Sequence, residues 1–257
     1  EAAIVYDYDS LASFRIQRQS ILLDPAAEMQ KFYKAFYDQN VGVDVIPEDR
    51  EFSSYKVVIL PQMIITKPEM EEKVEAFVKN GGTVIVTYRH AVKDADNNVP
   101  FGETLPVHYN ALAGLTVEET ESLQDYDAFP VVGSGVFEGV EGTGGIFRDM
   151  IKVQDAETLF CYADAFYQEF AAVTRKQTGR GTLYYVGCGL EEKITKLLME
   201  QVMRDCHFQM VPSEEGLEIV TRGNEKQKVT MYINHNAKEV TYGDMTLAPF
   251  ACKILEA

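Results

Sequence analysis

Four side chains at predicted strand ends have the types and positions that chemistry needs. Asp7 and Asp9 follow an apolar run at residues 3–6. Two carboxylates two residues apart suit a divalent cation or a loop clamp; their more ordinary role is to cap turn amides. Arg89 and His90 directly follow a second apolar run, Thr83–Thr87. Ligands of open α/β sheets bind beyond the carboxyl ends of the strands. Asp7, Asp9, Arg89 and His90 are therefore the candidates for a ligand cleft, with a solvated His–Arg pair as the plainer reading of the last two. Gly187-Cys188-Gly189 lies between a predicted strand and a helix, where a nucleophile elbow would sit. Its glycines adjoin the cysteine, unlike GxSxG, so a tight turn with a small buried thiol is expected. Histidines 90, 108, 207 and 235 show neither HExxH nor paired spacing, and no metal is expected. GVEGTGG at 139–145 matches neither GxGxxG nor the Walker pattern and reads as a flexible surface loop. Nothing marks a pair of carboxyls at glycosidase separation. No catalytic residue is assigned, and no cofactor is expected.

The elements that must position these residues are legible first at 56–87. KVVILP at 56–61 and TVIVT at 83–87 are short apolar strands. Between them Met70, Val74, Phe77 and Val78 fall on one helical face. Thr66 and Glu69 have capping-box spacing, and Asn80-Gly81-Gly82 stops the helix. This is a βαβ unit with parallel strands. Neither strand alternates with polar residues, so both faces should be covered. The fold class is α/β, with a doubly wound, mostly parallel sheet. Residues 3–6 and 43–46 add strands, and 11–23 read as irregular or weakly helical. Asp24-Pro25 opens a helix with Met29, Phe32, Tyr33 and Phe36 as its buried stripe, ending near Asn40. A long polar loop covers 89–106, and a short helix at 108–113 ends at Gly114. Residues 115–150 read as short strands and loops. Strands follow at 156–162, 171–174 and 182–186, then a helix at 191–206 with Ile194, Leu197, Leu198 and Val202 on one face. A linker at 211–216 leads to alternating runs at 217–220 and 228–234, a small antiparallel β module over 216–257.

The 257 residues are 46% hydrophobic and 25% charged, ordinary for a globular protein. Forty Asp and Glu against 24 Lys and Arg give a net charge of −16, which argues against nucleic acid and anionic membrane surfaces as partners. No apolar run approaches the roughly 20 residues of a membrane helix. Cysteines at 161, 188, 206 and 252 form no CxxC pair, and reduced thiols in a cytoplasm fit best. The sequence opens directly on a strand, as a piece of a longer polypeptide would.

Several stretches resemble a known family together: AAIVYDYDS at 2–10, KAFYDQNVGVDVIP at 34–47, SSYKVVILPQMIITKPEMEEKVEAFVKNGGTVIVTYRHAVKDADNNV at 53–99 and YADAFYQEFAAVTRKQTGRGTLYYVGCGL at 162–190. Their order and spacing resemble the non-catalytic part of glycoside hydrolase family 42, the bacterial β-galactosidases. The resemblance implies a glutamine-amidotransferase-like (class I, flavodoxin-like) trimerisation domain over 1–211 and a small C-terminal β domain over 216–257. It implies two partners, further copies of the chain in a homotrimer and a (β/α)₈ barrel that carries the catalytic glutamates. A galactoside would then bind only the parent protein, and the chain alone would be inactive. Tyr8 stands where a tryptophan is common and Cys188 where a hydroxyl residue is common. Tyr88-Arg89-His90 follows the fourth strand in place of an amidotransferase cysteine. The alternatives are a free-standing amidotransferase-like enzyme using Cys188 and a small-ligand-binding α/β module. Trimer contacts are expected from residues 89–101 and from 133–147, the latter anchored by Val136, Phe137, Ile146 and Phe147.

Overall fold

The computed structural model describes residues 1–124, 127–224 and 227–256; positions 225, 226 and 257 of the expected terminal module lie outside them. Its main sheet has a parallel half and an antiparallel half. The parallel half is β1 (Ala2–Tyr6), β2 (Val43–Pro47), β3 (Val57–Leu60) and β4 (Thr83–Thr87), joined later by β10 (Gly181–Val186) in the order β2-β1-β3-β4-β10. Helices cover both faces, because alternate residues of these strands are apolar on both sides. Ile4, Ile59, Ile85 and Tyr184 pack under α2 (Pro25–Tyr37) and α5 (Glu192–Asp205). Val5, Val58, Val84 and Leu183 pack under α3 (Pro68–Lys79) and α4 (Asn110–Ala113).

The expectation of a mostly parallel sheet fails beyond β10. β5 (Leu115–Ser122), β6 (Phe129–Gly133), β7 (Glu141–Val153), β8 (Glu157–Tyr162), β9 (Ala171–Thr178) and β11 (Cys188–Leu190) extend the same sheet with antiparallel pairings. The stretch read as short strands and loops contains the longest strand, β7, with 13 residues. The glycines read as a flexible loop lie mostly inside it. Two of them are there for close approach, not freedom: a Cβ on Gly142 would come within 2.3 Å of Ile194, and one on Gly144 within 2.5 Å of the Phe129 ring.

The helices differ from expectation at their ends. α1 (Tyr8–Ile16) begins at Tyr8 because Asp7 caps it, so the segment read as irregular or weakly helical from residue 11 is a regular helix as far as Ile16. In α2, Tyr33 is exposed and Glu28 takes the inner position, its carboxylate 2.5 Å from Lys31 Nζ. The Thr66–Glu69 capping box does not form: Pro68 at the first turn makes Lys67 the N-cap, and the Thr66 hydroxyl donates to Glu71 instead, at 2.6 Å. α4 starts at Asn110, two residues late, after His108 in a left-handed conformation.

A separate antiparallel sheet of β12 (Leu217–Gly223), β13 (Lys228–Asn234) and β16 (Cys252–Glu256) follows, with a hairpin of β14 (Val240–Tyr242) and β15 (Met245–Leu247). Its small core is Leu217, Ile219, Val240 and Leu247. Asn40, just beyond α2, ties it down. The Asn40 amide nitrogen donates to Val211 O at 2.7 Å and to Ser213 Oγ at 2.9 Å, and its oxygen accepts from Ile219 N at 2.7 Å.

Adjacent glycines of β7 test the packing argument. A Cβ on Gly144 would also lie 2.9 Å from Cys188 Sγ, whereas one on Gly145 would meet only Asp127 O at 3.6 Å. Gly144→Ala is expected to lower stability by about 1–3 kcal/mol through overpacking, and Gly145→Ala to stay within about 0.5 kcal/mol. Urea unfolding of both variants measures the contrast, and equal midpoints would refute the close-packing role.

Candidate functional site

At the C-terminal edge of the parallel strands, the chain leaving β1 makes the first cluster. The Asp7 carboxylate accepts from Asp9 N at 3.2 Å and Ser10 N at 3.0 Å, the ordinary capping role. Asp9 is exposed, and its carboxylate lies 2.6 Å from Lys67 Nζ, which is also 2.6 Å from Glu48. Burial opposes the charge on Lys67, but the hydrogen bonds it donates to Asp9 and Glu48 outweigh that and raise the ammonium pKa. Asp7, Asp9 and Glu48 each bring a carboxylate oxygen within 4.8 Å of one another. Lys67 supplies the positive charge that such a trio attracts.

A crevice of about 450 Å³ opens between α1 and α2 beyond β1 and β3. This is where the strand order reverses, the usual ligand position in open α/β sheets. Phe14, Leu23 and Met29 form apolar walls, Arg15 and Arg18 bring guanidinium groups, and Asp7 lies at the strand end. Of the four candidate residues, Asp7 alone lines it.

Arg89 and His90 part company after β4. Arg89 adopts φ +61, a strained turn for a branched-free but long side chain. Its guanidinium lies 6.0 Å from the Phe147 ring centre. His90 is buried, edge-on to Tyr109 at 4.5 Å, and neither ring nitrogen has a hydrogen-bond partner among the described residues. Burial lowers its pKa to about 3, so the ring is neutral near pH 7. Tyr109 belongs to the core under α3 and α4, whereas Cys188 packs in the core under α2 and α5. The thiol and the imidazole therefore lie on opposite faces of the sheet. Burial, with Asp149 and Glu28 nearby, pushes the Cys188 thiol far up, which keeps it protonated and a poor nucleophile. Gly187-Cys188-Gly189 leads into strand β11 beside β7, with the small buried thiol expected. The loop after β4 is less free than its polarity suggests: Ala91, Val92 and Lys93 are buried beside residues 63–66.

The most elaborate polar cluster was not picked out in the sequence. Asp149, fully buried in β7, accepts from Thr120 Oγ1 at 2.7 Å, Tyr185 OH at 2.8 Å and Arg89 N at 3.0 Å. Burial pushes its carboxyl pKa up, and these donors oppose the rise. Its neighbour Arg148 is buried too, its guanidinium carbon 4.1 Å from the Phe129 ring centre and 3.7 Å from that of Tyr167. It pairs with Asp164 at 2.9 Å. The available signal was a charged pair inside an apolar run, Ile146-Phe147-Arg148-Asp149-Met150-Ile151; such a pair in a strand must find partners.

His90 makes a pH test possible. Its folded pKa near 3 lies below the unfolded value of about 6.5, so the unfolded chain alone takes up the proton between those values. Its contribution is complete above about pH 6.5 and declines as pH falls toward 3. Between pH 7.5 and pH 5 this residue alone should cost about 2 kcal/mol of stability. His90→Leu should flatten the urea-derived stability profile by that amount, and an unchanged profile would mean that the imidazole takes up protons in the folded state.

Residues 1–209 match the family described as the β-galactosidase trimerisation domain. The chain is 29% identical over 253 residues to β-galactosidase Pbg of Clostridium perfringens, covering 94% of this chain and 36% of that protein. It is 27% identical over 244 residues to β-galactosidase LacZ of Lactobacillus acidophilus, covering 94% and 34%. The crystal structure of β-galactosidase from Bacillus circulans sp. alkalophilus matches the whole fold with a TM-score of 0.91 at 27% identity, with 41% of that chain covered. The chain thus spans about a third of the length of the curated relatives it matches. With its family-wide match over four fifths of its length, the chain belongs to the β-galactosidase trimerisation-domain family of glycoside hydrolase family 42.

Proposed function

We propose that this chain is the assembly portion of a longer β-galactosidase, holding three copies together while a (β/α)₈ barrel elsewhere in the polypeptide hydrolyses terminal β-D-galactosides. The observation that carries the reading is the match of residues 1–209 to the trimerisation domain. The state of the reactive side chains supports it. Asp7 is spent on a helix cap, Asp9 on Lys67, His90 is neutral and enclosed, and Cys188 is protonated. A class I glutamine-amidotransferase-like fold over 1–211 is supported by the parallel order β2-β1-β3-β4-β10 and by the left-handed turn at Arg89, where such enzymes carry their cysteine. A separate β domain over 216–257 is supported by its own small core. Four free thiols support a cytoplasmic setting. The reading requires no cofactor, nucleic acid or membrane.

For the trimer contact, the exposed apolar side chains narrow the candidates. Phe137 and Phe147 are core residues, so of the stretch 133–147 only Val136 remains well exposed among the expected anchors. Phe101 stands out fully and Val99 is exposed on the loop after β4, and Ile16 is 79% exposed at the end of α1. The loop is pinned to α1 by Ser13 Oγ donating to Asn97 Oδ1 at 2.6 Å. A rotating ring uses different patches on each side of the protomer, and an apolar tip avoids the repulsion between chains of net charge −16.

With a chromogenic galactoside, the 257-residue chain should give no turnover above buffer and the full polypeptide should be active. Turnover by the chain, lost on changing one of its own acids, would sink the assembly reading. In the full polypeptide, Ile16→Glu combined with Phe101→Glu should raise the concentration at which the trimer dissociates at least about tenfold, which is about 2.7 kcal/mol for the whole trimer, or about 0.9 kcal/mol for each of its three contacts. Sedimentation velocity over a dilution series reads this. A dimer in the unaltered protein would overturn the trimer, and an unmoved midpoint would exonerate this surface.

A further inference from the structure

Among the described residues, the terminal three-stranded sheet carries apolar side chains on both faces and a cover on one. Its register runs Val220–Met231–Ile254 across the strands, with Glu218–Ile233–Cys252 on one side and Arg222–Val229–Glu256 on the other. These rows share one face, since side chains two apart along a strand point the same way. The opposite face carries Leu217, Ile219 and Tyr232, and the β14–β15 hairpin packs on it through Val240, Tyr242, Met245 and Leu247. An antiparallel sheet with one face in water normally carries polar residues there. Here that face holds Val220, Val229, Met231, Ile233, Cys252 and Ile254. Ile254 is 59% exposed, Cys252 is exposed, and the other four are half-buried.

We propose that this face is the seat of another segment of the same, longer polypeptide, outside the present 257 residues. The proposal rests on the reading of the chain as part of a β-galactosidase. Area decides between a tethered segment and a second copy. Five paired residues on β13 and β16, at about 3.4 Å each, and three strands about 4.8 Å apart give roughly 14 by 17 Å, on the order of 240 Å². A stable interface between separate proteins needs about 800 Å² per partner. A segment of the same chain meets the face at millimolar effective concentration and needs far less. The Bacillus circulans relative has polypeptide to supply it. Its structure matches all of this chain, these strands included, yet the match covers 41% of it, leaving about three fifths outside. Glu218, Arg222 and Glu256 put charges of both signs around the rim, and Glu218 Oε2 lies 2.8 Å from His235 Nε2. The apolar centre, and not a net charge, then selects the partner.

Cys252 is a built-in reporter of the cover. The full polypeptide is treated with a thiol-reactive maleimide, and labelling of Cys252 is followed by peptide mass mapping. Labelling at least about a hundredfold slower than in urea-unfolded protein, and independent of dilution through trimer dissociation, supports the proposal. Labelling within a few-fold of the unfolded rate overturns it. Protection lost on dilution also overturns it, because a second copy would then be the cover. Ile254→Glu should release the protection, and Leu255→Glu, on the other face, should not; protection persisting in Ile254→Glu would remove this face from the contact. Trimer mass and galactoside turnover are measured on the same samples. Their loss in the unaltered protein would fault the assembly reading, while the labelling rate still decides whether this face is covered.

Discussion

The Asp149 carboxyl is shut off from solvent, so protein donors must satisfy it, and the three that do come from parts of the chain far apart in sequence. Thr120 lies in β5, Tyr185 in β10 and Arg89 just after β4. β10 and β4 belong to the parallel half of the sheet, β5 and β7 to the antiparallel half. One buried carboxyl therefore closes the seam between the halves. Leaving any of its bonds unmade in so dry a site costs the desolvation of the group. The main chain repeats the suture: Asp149 N donates to Gly187 O at 2.8 Å, and Tyr162 OH donates to Asp149 O at 3.0 Å. The bond from Arg89 N also fixes the left-handed turn after β4, and with it the start of the loop that carries Val99 and Phe101. The seam thus positions a surface some distance from itself.

The parallel half could be read because its strands are buried on both faces. Val57–Leu60 and Thr83–Thr87 are unbroken apolar runs, and Met70, Val74 and Val78 declare the helix between them. β7 could not be read in the same way. Its inward positions include Gly142 and Gly144, where Ile194 and Phe129 fill the space a side chain would take. Packing against glycine leaves no hydrophobic signal, so the composition imitates a loop. The inner face of α2 was misjudged for a related reason. Glu28 is inside because Lys31 meets it, and Lys31 Nζ also donates to Leu190 O at 2.8 Å; Leu190 lies 159 residues away in sequence.

The candidate site was legible as a place more than as a set of partners. Asp7, Asp9, Arg89 and His90 follow β1 and β4 at the carboxyl edge of the parallel strands. What each does depends on residues brought in by the fold: Lys67 for Asp9, Tyr109 for His90, Phe147 and Asp149 for Arg89. Residue type alone made His90 a candidate, yet chemistry near neutral pH needs a ring that can exchange protons, and enclosure without a partner removes that capacity. Arg148 and Asp149 were not singled out, yet these two charges in a strand hold the structure together.

α2 carries the influence of the core outward to the terminal module. Its middle is held to β11 through Lys31, and its last turn packs Phe36 against Phe208, with ring centres 6.1 Å apart. Just past its end, the C-cap Asp38 pairs with Lys196 at 2.9 Å, and Gln39 donates to Glu200 at 3.0 Å, both partners on α5. Asn40 follows at φ +54, a conformation that asparagine tolerates better than most residues. That turn aims both ends of its amide at the strand and linker of the small module. The module's core has four buried apolar side chains among the described residues, too few to order so short a sheet unaided. Its orientation therefore derives from a helix held at its middle to β11 and at its C-terminal end to α5. A face held in a fixed orientation loses little further freedom on docking, and a small contact area then suffices to hold a tethered neighbour.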